Sequence, residues 1–254
     1  MPEGPEIHRA ADRLARRGQA LTGKRVHRVY ARGKALLIDF EGGLTHYSHN
    51  QLYGRWIVTE GRGVQDSART VRVVLATATH TATLYSATDI ALLPTRAVAR
   101  HPYLAKLGPD ALDARTTVAA VRARLIDARF ARHRLGSLLL DQAFVAGLGN
   151  YLRSDILFAS RLTADLRPCD LTAAQRTALA GNVLALARRS YRSGGSTHPL
   201  REAARASRAG TFTGNDRFLV YGRANAPCWV CGTPIVRREY GGRAIYECPT
   251  CQRP

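Results

Sequence analysis

The feature that most constrains this chain is a set of four cysteines close to its carboxyl end. They form two C-x-x-C pairs separated by sixteen residues: Cys228, Cys231, Cys248 and Cys251. Paired knuckles of this kind are typical of a closed tetrahedral zinc site, and the spacer is long enough for a hairpin. We predict one structural Zn²⁺ per chain, with strands over Ile235–Arg237 and Arg243–Glu247. Redox pairs or four unliganded thiols are the alternatives, and the paired spacing disfavours both.

The charge balance is the second constraint. The chain has 254 residues, 38 of them Lys or Arg and 19 Asp or Glu, which gives a net charge of +19. Such an excess indicates a polyanionic partner such as nucleic acid. A hydrophobic content of 45% excludes a disordered tail protein. No apolar run reaches the roughly 18 residues that a membrane helix needs, and residues 1–9 contain no apolar signal core. We therefore expect a cytoplasmic protein.

Hydrophobic periodicity divides the chain into a β-rich part and a helical part. A helix is predicted over residues 5–17, and residues 193–215 are expected to form a basic loop. Alternation predicts six strands: Arg25–Tyr30, Ala35–Phe40, Leu44–His49, Arg55–Thr59, Val71–Ala76 and Thr81–Ser86. Phe218–Tyr221 is expected to form a further short strand. The fifth cysteine, Cys169, is expected to be buried or half-buried.

Helical spacing dominates after Pro102. It predicts four helices: Thr117–Ile126, Leu135–Phe144, Tyr151–Ala159 and Ala173–Tyr191. Asp170 or Thr172 is the expected cap of the last one. These patterns suggest three domains, over residues 1–107, 108–222 and 223–254.

The amino end of the chain carries a candidate nucleophile. It begins Met1-Pro2-Glu3-Gly4-Pro5-Glu6, and removal of Met1 would expose the Pro2 amine. A secondary amine that attacks a sugar aldehyde carbon gives an iminium, which is a strong electron sink for elimination. Glu3 and Glu6 are near enough along the chain to donate or accept protons. A plain helix entry is the alternative interpretation of this segment.

Five motifs together resemble the formamidopyrimidine-DNA glycosylase/endonuclease VIII family, and most closely its endonuclease VIII branch. They are MPEGPEI at the start, RGKALL at 32–37, YSHNQLYG at 47–54, LLLDQAFVAGLGNYLR at 138–153 and the cysteine hairpin. The resemblance implies an amino-terminal β-sandwich with a catalytic first helix, a helical helix–two-turns–helix domain and a zinc hairpin. It also implies a bifunctional enzyme acting as a monomer on damaged double-stranded DNA. Such an enzyme excises an oxidised base, here an oxidised pyrimidine, and cuts the abasic strand by β- and δ-elimination.

The same resemblance assigns catalytic roles. It makes Pro2 the nucleophile, Glu3 the proton donor that opens the sugar ring, and Glu6 a supporting carboxylate. Lys34, one of only three lysines in the chain, matches a hairpin lysine that contacts phosphate and donates a proton in β-elimination. Arg243 matches an arginine that grips the phosphates of the lesion and assists δ-elimination. Ordinary hairpin-tip charges are the alternative for Lys34 and Arg243.

The resemblance also assigns contacts with DNA. A flipped base leaves a gap in the duplex, and Gln51, Leu52 and Tyr53 match the wedge that fills it. The alternative places Leu52 and Tyr53 in the core. Asn150 matches a phosphate clamp, and a helix cap is its alternative. Lys106 aligns with a basic DNA contact, and a solvated charge is its alternative.

One segment departs from the family pattern. Compared with the family pattern, residues 16–29 lack one or two short strands that would contribute to the sandwich, which leaves the separation between Pro2 and Lys34 open. Two other functions stay open on the sequence. One is an oxidised-purine glycosylase, against which the contiguous wedge argues. The other is a noncatalytic binder of damaged DNA.

Overall fold

A computed structural model describes residues 21–199 and 215–253 of the chain. The predicted helix over 5–17 and most of the predicted basic loop lie outside these residues. The chain forms two compact units, Met1–Ala105 and Lys106–Pro254. The second unit contains the described α-helices and the cysteine hairpin. The three-domain division stays a prediction.

The described residues of the first unit form seven strands in two antiparallel sheets. They are β1 Val26–Arg32, β2 Ala35–Phe40, β3 Leu44–His49, β4 Arg55–Glu60, β5 Val71–Ala76, β6 His80–Tyr85 and β7 Asp89–Pro94. One sheet has the order β1-β2-β3-β7 and the other β4-β6-β5. All six predicted strands are present within a few residues. Val26 is the first residue of the four-stranded sheet, and the missing strands in residues 16–29 stay a prediction.

The seventh strand, β7, was not predicted from sequence. Its residues do not alternate, and among the described strands it pairs with β3 alone, from Leu44 opposite Pro94 to His49 opposite Asp89. Proline is tolerated there because an edge strand need not donate on its outer side. The sandwich core contains Leu37, Tyr47 and Leu84, each with no exposed surface. The Trp56 indole N–H donates to Ser48 Oγ over 3.2 Å and so joins the two sheets.

A buried histidine makes the sandwich sensitive to acid. His46, on β3, is 3% exposed, and its Nε2 has no hydrogen-bond partner among the described residues. Desolvation lowers its pKa from 6.5 to about 4, because burial disfavours the charged ring.

We expect stability to fall on acidification through this group. The unfolded chain binds a proton at His46 more readily than the folded chain does. The contribution of the neutral ring to the free energy of unfolding is therefore complete above pH 6.5 and is lost as the pH falls toward 4. The loss is about 2 kcal/mol between pH 6.5 and 5. Urea unfolding at pH 7 and pH 5 measures it, with His46→Gln as the comparison. A pH dependence that is unchanged in His46→Gln would contradict the assignment.

The second unit is helical. Its helices are α1 Val118–Ile126, α2 Leu135–Leu138, α3 Asn150–Ala159 and α4 Ala173–Arg192. Thr172 caps α4 in a reciprocal pair with Gln175, as one of the two predicted caps. Their apolar faces form one core that includes the fully buried Leu148, Ile156 and Val183. Among the described residues, no helix has the length and apolar character needed to cross a membrane.

The predicted helix over Leu135–Phe144 is wrong beyond Leu138. Two side chains in this segment bind backbone groups that a helix would use. Asp141 accepts the Ala143 N–H at 2.8 Å, and the Gln142 amide donates to the Leu140 carbonyl at 2.9 Å. Local side-chain bonds of this kind compete with a helix, so turns connect α2 to α3.

Two smaller predictions are also wrong. Phe218–Tyr221 is not a strand, because the buried Asp155 carboxylate on α3 accepts the N–H groups of Leu219, Val220 and Tyr221 at 2.9–3.0 Å. Those donors are therefore directed at one side chain instead of a neighbouring strand. Cys169 is exposed rather than buried.

The cysteine segment forms the predicted hairpin. Its strands are β8 Val236–Tyr240 and β9 Arg243–Glu247. Gly241 and Gly242 make the turn with φ of 58° and 74°, a left-handed conformation that glycine adopts without strain.

Candidate functional site

The Lys34 turn lies between β1 and β2. Arg32 pairs with Ala35, so Gly33 and Lys34 form a two-residue hairpin, and Gly33 has a φ of 59°. The Lys34 backbone N–H donates to the Tyr103 hydroxyl at 3.0 Å. The Tyr103 ring in turn packs edge-on against the His49 ring, with 4.9 Å between the ring centroids. The hydrogen bond from the Lys34 backbone to Tyr103 therefore fixes the turn that carries the lysine side chain.

The residues predicted as a wedge form an exposed turn between β3 and β4. Leu52 is 82% exposed and Tyr53 is 71% exposed, so the interpretation that places them in the core is wrong. The Gly54 N–H closes the turn onto the Asn50 carbonyl at 2.7 Å. Two adjacent, strongly exposed apolar side chains are typical of a surface that contacts a partner.

Asn150 and the tip of the cysteine hairpin lie together. Asn150 is the first residue of α3, and its Nδ2 donates to the Ala244 carbonyl at 2.8 Å. The buried Arg153 guanidinium donates to the same carbonyl at 3.0 Å. Arg243 is the exposed neighbour of Ala244. Two predicted phosphate contacts, 93 positions apart in sequence, are thus brought to one place.

The role of Asn150 as a helix cap is not supported. Gly149 occupies the cap position, without a side-chain cap bond. The buried Asn150 Oδ1 has no hydrogen-bond partner within the described part of the chain.

The turns before α3 are held by Gln142. Its Oε1 accepts the Gly147 N–H at 3.0 Å, and its Nε2 donates to the Leu148 carbonyl at 3.0 Å. Gly147 has a φ of 95°. The amide fixes the backbone that leads to the start of α3, where free N–H groups can donate hydrogen bonds to an anion.

The four predicted ligand cysteines form one cluster. Their Sγ atoms all lie within 4.8 Å of one another, with Cys228 to Cys251 at 3.9 Å and Cys231 to Cys248 at 3.5 Å. A tetrahedral Zn–S distance of about 2.3 Å places sulfurs about 3.8 Å apart. The donor set and its spacing therefore fit a bound metal ion.

The other predicted residues are less informative. Lys106 is exposed at the end of a 3₁₀ turn, Leu104–Lys106. Pro2, Glu3 and Glu6 lie outside the described residues. Sequence reasoning missed the supporting roles of His49, Gln142 and Arg153, although the quoted motifs contain all three.

Comparison with known proteins gives full-length relatives. An Endonuclease 8 of Salmonella arizonae is 42% identical over 272 residues and covers 100% of both chains. An Endonuclease 8 of Klebsiella pneumoniae is 43% identical over 271 residues, covering 99% of this chain and 100% of the relative. Residues 107–201 match the family described as formamidopyrimidine-DNA glycosylase H2TH domain.

The chain belongs to the formamidopyrimidine-DNA glycosylase/endonuclease VIII family. Its relatives place it in the endonuclease VIII branch, as the five motifs indicated. Membership makes the chain a DNA glycosylase and abasic-site lyase of base excision repair, with DNA as its partner.

Solved structures support the fold of this endonuclease VIII relative. A Lactococcus lactis formamidopyrimidine-DNA glycosylase, noncovalently bound to DNA containing an abasic site, has a TM-score of 0.77 at 20% identity. The match covers 95% of this chain and 86% of that one. A MutM in complex with DNA containing carbocyclic 8-oxoguanine gives the same values. The predicted fold class is confirmed.

Proposed function

We propose that this enzyme excises oxidised pyrimidines from duplex DNA and fills the gap with Gln51, Leu52 and Tyr53. The observation that supports this proposal most directly is the exposure of Leu52 and Tyr53 on a hydrogen-bonded turn. An apolar side chain and a flat ring replace lost base stacking, and the Gln51 amide can replace lost base-pair hydrogen bonds. Saturated or oxidised pyrimidines stack poorly, so flipping them requires less energy than flipping an intact base.

The chemistry starts at Pro2 once Met1 is removed. Its nitrogen bonds to C1′ of the damaged nucleotide as the bond between C1′ and the base breaks, and the base leaves with the proton that the proline nitrogen gives up. Glu3, supported by Glu6, protonates the ring oxygen and opens the sugar to an iminium. Loss of a C2′ proton then expels the 3′ phosphate, loss of the C4′ proton expels the 5′ phosphate, and hydrolysis frees the proline. The motif MPEGPEI supports these roles.

Four polar residues would hold the strand during these steps. Lys34, on its fixed turn, contacts the phosphate and donates a proton during β-elimination. Lysine suits this role because it can lose a proton, whereas arginine effectively cannot. Asn150 and Arg243 bind the phosphates flanking the lesion, and the hydrogen bond from Asn150 to the carbonyl of Ala244, the residue next to Arg243, supports a joint role. Lys106 adds a further contact.

The cysteine cluster would hold one Zn²⁺ through Cys228, Cys231, Cys248 and Cys251. Four thiolates leave no open position, so the ion is structural and takes no part in the reaction. Its contribution is to fix the hairpin that carries Arg243. We further propose that the enzyme works as a monomer on the nucleoid of a bacterial cytoplasm.

A cleavage panel tests the substrate class. Duplexes carrying dihydrouracil or thymine glycol should be cut faster than a duplex carrying 8-oxoguanine opposite cytosine. Single-turnover cleavage with excess enzyme gives the rates, and an abasic duplex serves as the control. Faster cutting of 8-oxoguanine would move the chain to the oxidised-purine branch. Tight binding without cleavage of any duplex would favour the noncatalytic binder.

Leu52→Ala tests the wedge within the same panel. Base excision should slow by about tenfold or more, because removing a large apolar side chain from a buried contact costs about 2 kcal/mol or more. Cleavage of the abasic duplex should change less, since no base has to be extruded. Equal slowing on both duplexes would show that Leu52 does not act on extrusion.

A further inference from the structure

The wedge turn is held by side chains that lie outside the turn itself. Thr88, in the connection before β7, donates its hydroxyl to Gln51 Oε1. Arg69, in the connection between β4 and β5, donates from Nη1 to the Tyr53 carbonyl at 2.9 Å. His49 Nδ1 accepts the Gln51 N–H at 3.0 Å. Each end of the turn therefore has its own external contact.

The backbone of the turn is strained and closely packed. Gln51 has a φ of 50°, in the left-handed region that non-glycine residues rarely adopt. Such a conformation persists only where the surroundings determine it. A Cβ on Gly54 would lie 2.6 Å from the Asn50 carbonyl oxygen and 2.9 Å from Ala87 Cβ. These contacts therefore restrict the turn to one backbone conformation.

We propose that Thr88 and Arg69 are positioning residues that preorganise the wedge for insertion before DNA binds. This inference rests on the proposed role of the wedge. A turn that is already shaped does not have to lose conformational freedom when it enters the duplex. Thr88 holds the Gln51 side chain and Arg69 holds the Tyr53 carbonyl, and both contacts leave the side chains of Leu52 and Tyr53 exposed. Loosening either contact slows extrusion of the damaged base and leaves the later chemistry unchanged.

Thr88 offers the sharper test because it is exposed and uncharged. Thr88→Val removes the hydroxyl and keeps the shape, whereas Thr88→Ser keeps the hydroxyl. We expect Thr88→Val to slow excision of dihydrouracil about fivefold, the effect of losing a net hydrogen bond of about 1 kcal/mol. Thr88→Ser should restore the wild-type rate, and both variants should cut an abasic duplex at that rate.

Arg69→Ala is compared with Arg62→Ala, which removes the same charge from the same exposed connection. Only Arg69→Ala should slow dihydrouracil excision under saturating enzyme. A 2-aminopurine placed opposite the lesion reports wedge insertion directly. Its fluorescence should rise more slowly with Thr88→Val and Arg69→Ala than with Thr88→Ser and Arg62→Ala.

The outcomes separate this inference from the proposed function. Wild-type excision and fluorescence in Thr88→Val, with slow excision in Leu52→Ala, would overturn the role of Thr88 and leave the wedge intact. Normal excision in Leu52→Ala would overturn the wedge itself and this inference with it. Equal slowing of abasic cleavage in Thr88→Val would also contradict a role in extrusion. Equal effects of Arg69→Ala and Arg62→Ala would show that Arg69 acts only through its positive charge, and would overturn its role in positioning the wedge.

Discussion

Retention of Met1 is expected to reduce both strand cleavage and covalent trapping to background. Acylation by Met1 converts the Pro2 amine into an amide, which has no lone pair available to attack C1′. Borohydride reduction of the enzyme mixed with an abasic duplex measures this, because only a Schiff base is trapped and visible on a denaturing gel. DNA binding should persist, since the proposed phosphate contacts lie elsewhere in the chain.

Two variants sharpen this expectation. Pro2→Gly should trap weakly, because the imine of a primary amine can lose its proton and becomes a poorer electron sink. Glu3→Gln should block excision of dihydrouracil more than cleavage of a preformed abasic site, since the amine is still in place. If the protein that keeps Met1 is still trapped on DNA through a lysine, the proposal that Pro2 is the nucleophile is wrong. The chain has only Lys24, Lys34 and Lys106, so peptide mapping would identify that lysine.

Cys248→Ser is expected to abolish metal binding and DNA cleavage together. Cys248 is fully buried, and structural zinc contributes about 10–16 kcal/mol of apparent binding free energy in small zinc domains. Without it the hairpin should loosen, and the Ala244 carbonyl should leave Asn150 and Arg153. Metal analysis of the purified protein, with cleavage of an abasic duplex, measures both effects. The helices should keep their far-ultraviolet circular dichroism.

Cys169→Ser is the matched control. Cys169 is exposed and is not one of the clustered cysteines, so metal content and cleavage should both match the wild type. The wild-type chain should contain one zinc ion. A zinc content near zero in the wild type, or an active Cys248→Ser enzyme, would contradict the structural role of the metal.

Local patterns in the sequence were sufficient for most elements of the fold. Strands such as Leu44–His49 and helices such as Ala173–Arg192 were predicted to within a few residues. Their periodicity arises because one face of each element is buried. The cysteine spacing likewise predicted a hairpin, because two knuckles and a glycine turn are local features. The motifs identified the family, and full-length relatives confirm it.

Hydrogen bonds between side chains and the backbone could not be predicted in the same way. The helix predicted over Leu135–Phe144 stops early because Gln142 and Asp141 bind nearby backbone groups. Phe218–Tyr221 is not a strand because its N–H groups meet Asp155, on a helix more than sixty residues earlier. Neither outcome has a signature in the local hydrophobic pattern.

The sequence by itself determined which residues can do chemistry: the amine at Pro2, the thiols of the cysteine pairs, and the apolar pair Leu52 and Tyr53. For those of these residues that the structure describes, only the tertiary structure decided how they are held. It exposes Leu52 and Tyr53, and brings Asn150 against Ala244. It also places Thr88 against Gln51. The physical reason is that residue type and spacing fix local geometry, whereas a hydrogen bond across many residues exists only once the packed elements bring its donor and acceptor together.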